Sequence, residues 1–592
     1  MRALVKFLIK TKTMKKEILR LAACLTFALI PLFSSAQEEQ KPAVVFMGDR
    51  TIIYIDRLPL QGDETLLDVL QIYPELLVKG FEDIIANYQV RMDNTAIFCD
   101  VRQYLANTPA RNIRTMQIVE TPSVAKGVTG IGGVIDLNPK SNEEGTHGFV
   151  GLEMDTKGGV SPFTAINSGI KHPQGSSTDI YGSASFNDHS RHGDTNLGEH
   201  ATVNITHNFG AKDRMILFLR QGYSRSDYEP MSSDSRDYLA HLYHYHTFND
   251  IGTMLLLVAG YRYQDDRVNY DPKPLYTKER STTGLQTYVA ELNTPLPFLG
   301  GTQLMLGWEG DFIHLPYNLR QAMTDNSATA TGSVTKELSF HDNYTISVND
   351  FYLMLDYRLG PVTLSAGDRV SVYHYGMEAS GSTASYNPVR HTPMGTIVAN
   401  LAPSHQLRGG YARRFINPSF LSVLPTSYPA RDGQTWISYT NPATEERADV
   451  YSLAYSYSHS SINGNLSAKY THFTNIDENT LQVNAAVDWR RDCFSLTAGA
   501  SVCHSDSYGD KKTYAYIRLA PTVRFSHDWR VSAQGIWRSA KAPERAILDD
   551  AAVYTLLSVS KTFARHIALT AQWHDIFNSN RSAALITAKY LF

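Results

Sequence analysis

The chain has 592 residues, and its 55 Lys and Arg against 58 Asp and Glu leave a net charge of −3. That balance argues against nucleic acid as a partner. The longest apolar run beyond residue 36 is MLLLVAG, residues 254–260, too short for a membrane-spanning helix, which needs about 20 residues, although not for a membrane-spanning strand.

Residues 1–36 have the parts of a secretory signal peptide. Seven Lys and Arg lie between Arg2 and Arg20, the apolar run LAACLTFALIPLF follows at 21–33, and Ser34-Ser35-Ala36 supplies small residues before Gln37. This order predicts cleavage between Ala36 and Gln37, with either Met1 or Met14 as the start. Leu21-Ala22-Ala23-Cys24 has the look of a lipoprotein box, but the apolar run continues beyond Cys24 instead of ending there.

Residues 37–140 read as a small mixed α/β domain. TIIYI, residues 51–55, has the composition of a strand. GDETLLDVLQIYP reads as a helix capped by Asp63 and stopped before Pro74, with Leu66, Leu67, Val69, Leu70 and Tyr73 at helical spacing. YQVRM and TAIFC flank Asp93-Asn94 as a hairpin, a short helix starts after Asp100, and MQIV at 116–119 is a further strand. The stretch SVAKGVTGIGGVIDLNPK holds Gly127, Gly130, Gly132 and Gly133. A nucleotide-binding loop follows a strand and opens a helix. This one opens the strand Val134-Ile135-Asp136-Leu137 and carries no Gly-Lys-Ser/Thr. Its glycines are read as conformational, permitting positive φ and close backbone approach.

From about Gly145 to Phe592 the pattern becomes segments of 9–14 residues that alternate apolar and polar. In RADVYSLAYSYS, Tyr451, Leu453, Tyr455 and Tyr457 share a face opposite Ser452, Ala454 and Ser456. In CFSLTAGASVC, Phe494, Leu496, Ala498, Ala500 and Val502 lie opposite Ser495, Thr497, Gly499 and Ser501. Period-two alternation with aromatics near segment ends is the pattern of a transmembrane β-barrel. A soluble all-β protein alternates too, but here an export signal precedes the segments, no helical layer is evident, and the apolar faces are flanked by interfacial aromatics. Counting segments predicts an all-β membrane protein: an antiparallel transmembrane barrel of about 22 strands, spanning residues 141–592 behind the mixed domain. The last segment closes an apolar face on Tyr590 and Phe592. A terminal aromatic of this kind is similar to the signal read by the bacterial barrel-assembly machinery.

Other constellations carry less. Cys99, Cys493 and Cys503 remain beyond residue 36; the last two, about 30 Å apart on one strand, cannot bridge. In HLYHYH, His244 and His246 share a strand face, a pattern that suits either a metal or haem ligand pair or a polar lining. Arg413 and Arg414 are neighbours on a strand, so one of them faces lipid, which favours a place at the membrane edge. Neither an HExxH nor a GxSxG motif occurs. No catalytic, metal or cofactor residue is assigned.

The order of signal peptide, mixed domain and long barrel resembles the TonB-dependent outer-membrane receptors of Bacteroidetes type. MQIVETPSVAKGVTGIGGVIDLNPK is similar to the end of their plug domain, and LLDVLQIYPEL to its first helix and turn. YARRFINPSFLSVLP with YTNPATEERADVYSLAYSY resembles a pair of their barrel segments, and HDIFNSNRSAALITAKYLF their last two strands. Departures are Pro74-Glu75 and Cys99-Asp100, where the family has Pro-Gly and Asp-Gly. The resemblance implies a plug over residues 37–140 inside a barrel in the outer membrane of a Gram-negative bacterium, surrounded by its lipid. It implies import of a solute, gated by a TonB-type partner. The candidate TonB contact is Ala43, Val44, Val45 and Phe46, which also reads as the first plug strand. If that contact is absent, the barrel is a surface receptor or structural protein without active import; an enzyme in the lumen is the third reading. Siderophore, haem, cobalamin, glycan and peptide all stay open as the solute.

Overall fold

The structure is a computed structural model. It describes residues 43–46, 50–58, 66–70, 88–92, 95–96, 105, 110, 113–119 and 133–139 of the N-terminal part. Beyond them it describes 145–155, 159–173, 175–188, 195–228, 231–270, 275–300, 302–325, 334–379, 382–416, 426–429, 436–439, 446–459, 462–474, 478–507, 510–526, 528–539, 553–563, 566–574 and 583–591.

The N-terminal part is a mixed sheet of six strands: β1 (Val44–Phe46), β2 (Thr51–Tyr54), β3 (Tyr88–Met92), β4 (Thr95–Ala96), β5 (Ile113–Val119) and β6 (Gly133–Pro139). Their order is β1-β2-β5-β6-β3-β4. β3 runs parallel to β6, and the other pairs are antiparallel. A register shift between Ile113 and Thr115 keeps Ile113, Met116 and Ile118 all on the buried face, as a bulge does when it offsets strict alternation. Against them pack Ile53, Ile135, Leu137 and, from the helix Leu66–Leu70, Leu66 and Leu70. Each such side chain contributes about 1.5–3 kcal/mol by leaving water.

From Gly145 onward the chain forms one closed barrel of 22 antiparallel strands. Ser382–Tyr386, Val389–His391 and Met394–Ala402 pair in succession with the one strand Val362–Ala379, forming a single broken strand. Pro388 and Pro393 fall at its breaks, where a residue without an N–H leaves a ladder bond unmade. The barrel closes where Ala583–Leu591 pairs with Gly145–Asp155, Tyr590 opposite Val150. Turns at the end where the barrel begins are tight. Leu359 reaches Val362 through Gly360 at φ 56°, and Arg491 reaches Phe494 through Asp492 at φ 51°.

Alternation sorts the side chains as expected. Leu453, Val502, Leu152 and Ile586 point outward and are exposed, whereas Ser456, Ser501 and Cys503 are buried on the inner side. An outer wall this apolar belongs in lipid. The strands are not uniform, however. Leu275–Leu296, Thr302–Asp325 and Val334–Leu359 have 22, 24 and 26 residues, beyond the expected 9–14. A membrane crossing takes only about 9–11 residues, so these strands continue as paired sheet above the bilayer, in place of loops.

Candidate functional site

The plug sheet and the barrel share one interior. Inward residues Ile216, Phe218, Leu239, Tyr243, Leu256, Val258 and Val289 of the wall join the plug residues in a single apolar cluster. Four of them form one rung, since Ile216 lies opposite Tyr243, Tyr243 opposite Val258, and Val258 opposite Val289. Over this sector the plug adheres by apolar contact.

The next sector is charged. Glu309 and Asp350 lie directly opposite each other on neighbouring strands. Between them sits the Arg369 guanidinium, donating to Glu309 Oε2 at 2.7 Å and also to Asp350. Thr287 donates to Asp311 at 2.8 Å, and the Tyr352 hydroxyl to Glu291 at 2.9 Å. Gly307 makes room for the Tyr352 ring: a Cβ there would lie 2.1 Å from its Cζ. Facing this sector from the plug is Arg91 of β3, buried and within electrostatic reach of Glu309 and Tyr352. Several charges held out of water in this way require close pairing, so the sector fixes the plug in one register against the wall.

Further round the wall, a rung of small polar residues lies beside the buried apolar cluster of Ala448, Val450 and Phe473. Ser467, Asn484 and Ser501 form a rung across three strands. Ser501 donates to Asn484 and Asn484 to Ser467 at 3.3 Å. Ser456, Thr471, Thr480 and Ser505 are buried on the same wall. The plug meets this sector through β1, which packs against the strands Glu446–His459 and Ile462–Phe473. The Ala43 N–H donates to the Asp488 carboxylate, which also accepts from Thr497 at 2.9 Å. Arg490 donates to the Arg57 carbonyl at 3.2 Å.

Of the residues singled out in the sequence, Ala36, Gln37, Gly127, Gly130, Gly132 and Phe592 lie outside the described residues. Gly133 begins β6. Val44, Val45 and Phe46 form β1, an edge strand paired with Thr51–Tyr54, and Ala43 accepts from the Tyr54 N–H at 2.7 Å. Ala43 and Val44 are buried, so while this pairing holds the segment is not a free strand. Tyr590 faces outward and is exposed. His246 and His244 point outward at the tight-turn end, 2.7 and 3.4 Å from Asp213, while His241 turns inward beside Gly260. Arg414 is fully buried; Arg413 pairs at 3.1 Å with Asp449 beside Tyr411 and Tyr451, near the end of its strand. Sequence reasoning missed Arg91, Glu309, Asp350 and Arg369. Charged residues at inward positions of otherwise alternating strands were the available signal, but which strands face which registers is a property of the closed barrel.

The chain matches the family model described as TonB dependent receptor-like, beta-barrel, over residues 167–488, more than half its length. No curated protein sequence matches it. Among solved structures it is similar to the alcaligin outer-membrane receptor FauA from Bordetella pertussis, at 12% identity and a TM-score of 0.70, covering 94% of this chain and 96% of that one. It is similar to the ferric citrate transporter FecA at 11% identity and a TM-score of 0.72, covering 92% and 97%. The siderophore receptor PiuA from Acinetobacter baumannii follows at 11% and 0.70, covering 95% and 99%. At these identities the likeness is one of fold.

Proposed function

Since the chain belongs to the TonB-dependent receptor family, a family of non-enzymatic outer-membrane β-barrels, we propose that it imports a solute through its plugged barrel, driven by a TonB-type partner in the periplasm. In this reading residues 1–36 are removed as a signal peptide, and Tyr590 with Phe592 guides assembly. The observation that carries the reading is the plug sheet itself, held in the lumen by apolar contact on one side and by charge on another. A barrel of about 22 strands is wide enough to leak unless filled, and a filling held mainly by side-chain contacts is one that a pull can rearrange.

The solute is unidentified. Ferric chelates are the first class to test, because the similar structures carry the names of an alcaligin receptor, a ferric citrate transporter and a siderophore receptor. The experiment measures depletion of labelled ferric chelates, haem, cobalamin, oligosaccharides and peptides from the medium by cells with and without the gene, each with and without a protonophore. Import predicts one solute whose uptake needs both the gene and the proton gradient. A second reading, a surface receptor without active import, is favoured by one observation: the candidate TonB contact is tied into the plug sheet as β1. Binding that depends on the gene and ignores the protonophore would select it.

A further inference from the structure

Two rows of outward side chains cross the barrel wall side by side. In the first, Leu255, Leu292, Leu306 and Leu353 lie opposite one another in succession, and the row ends on Asp368. In the second, Leu257, Ala290, Trp308, Phe351 and Val370 do the same, and the row ends on His391. Along these rows runs an apolar trough of about 610 Å3, bordered by Leu255 at one end and Asp368 at the other. Four strand spacings make it about 19 Å long. The Trp308 indole N–H donates to Asn349 at 3.3 Å, which fixes the ring beside it. The two ends differ in depth. Leu255 is three residues from the tight turn at Gly252, and Asp368 is eight from the one at Gly360. Five residues of strand are about 16 Å, so the trough climbs from near the tight-turn end toward the other membrane surface. Asp368 is out of place in such a wall. The outward residues around it on its own strand are Leu364, Ala366, Val370 and Val372. Its Oδ2 lies 3.3 Å from His391 Nδ1, and both side chains are about half exposed. Its Oδ1 is buried and has no hydrogen-bond partner among the described residues. An ionisable group facing lipid is costly, and so is an acceptor left unpaired.

We propose that this trough is a lipid-binding site for a phospholipid whose headgroup carries a primary amine. One acyl chain lies along the leucine row, and the ammonium sits at the polar end, donating to Asp368. The assignment follows from what Asp368 lacks. An ammonium brings both the counter-charge and the N–H that Oδ1 is without, in a charge-assisted hydrogen bond. A choline headgroup brings the charge but no N–H, and a phosphoglycerol headgroup brings a second negative charge. The inference is independent of the solute and of any periplasmic partner; it needs only that this wall lies in lipid.

The test titrates the purified full chain in detergent with phosphatidylethanolamine, phosphatidylcholine and phosphatidylglycerol of identical acyl chains, and counts bound lipids by native mass spectrometry. The unaltered barrel is expected to hold one phosphatidylethanolamine about tenfold more tightly than either of the others, the worth of one hydrogen bond to a charged group. Asp368→Asn removes the charge and should erase that ranking. Ala290→Phe fills the trough and should weaken binding of all three lipids, with Asp368 intact. Equal affinity for the three lipids in the unaltered chain overturns the inference, as does a preference for phosphatidylglycerol. So does a ranking that survives Asp368→Asn, or binding that ignores Ala290→Phe, in barrels that keep their heat-modifiable band. A second measurement stands even if those variants fail to fold. Phosphatidylethanolamine brominated on its acyl chains should quench the part of the fluorescence that Trp308→Phe removes, at about a tenth of the concentration that brominated phosphatidylglycerol requires. Equal quenching by the two lipids would sink the site.

Discussion

Arg369 is 3% exposed and has a carboxylate on each side, Glu309 and Asp350. Its own strand supplies neither; they come from the two strands before it. Removing the guanidinium leaves two buried carboxylates facing each other with no cation hydrogen-bonded between them and, among the described residues, only Arg91 of the plug in electrostatic reach, and breaking a buried pair in this way costs about 3–5 kcal/mol. Arg369→Ala is therefore expected to lower the temperature at which the folded, heat-modifiable form is lost on gels. Arg369→Lys should recover part of the loss, since one ammonium replaces the charge but not the fork that reaches both acids. An Arg369→Ala barrel that melts with the unaltered chain would show that the cluster is not under the tension its geometry implies. At the same scale, Arg413 shows how lipid-facing charge is accommodated. Its partner Asp449 and the rings of Tyr411 and Tyr451 surround it at the strand end, where a charge on the outer face is tolerated best.

The elements were legible wherever one face meets lipid. Alternation in the strands Glu446–His459 and Phe494–Ser507 separated outward from inward residues, because a single-residue slip would put serines into hydrocarbon. In the plug, β2, β5 and the β3–β4 hairpin followed from composition and from Asp93-Asn94. The parallel pairing of β3 with β6 did not, since those strands are separated by 40 residues of chain that says nothing local about it. The long strands were also missed. Above the bilayer no lipid selects one face, so residues such as Ser281, Thr282 and Thr283 show no alternation although they sit in the ladder. The final strand Ala583–Leu591 makes a prediction of its own. It turns Ile586 and Tyr590 outward, and in the sequence the same alternate positions end on Phe592. Deleting Phe592 should lower the amount of folded protein in the outer membrane while synthesis continues; an unchanged heat-modifiable band would discount the terminal aromatic as an assembly signal.

At the level of the whole molecule, under the proposed import reading, the plug is what separates this barrel from a pore. Deleting residues 41–140 should raise the permeability of cells to large antibiotics that the outer membrane normally excludes, provided barrel levels hold. Normal exclusion by a well-assembled, plug-less barrel would mean that the long strands or the segments joining them seal the lumen unaided. The closure of the wall has a further consequence, in time. Around the wall each strand pairs with the one that follows it, except for the single ladder between Ala583–Leu591 and Gly145–Asp155. Growth of the sheet is therefore a local, zipper-like process, whereas sealing waits for two ends more than 400 residues apart to meet, the kind of long-range pairing that makes folding slow. Until they meet, both edges are open and prone to pair with other chains. Because the plug packs on the inner face of that same wall, its docking and the meeting of the two edges are steps of one assembly, and the seam is where a delay leaves the chain open to others.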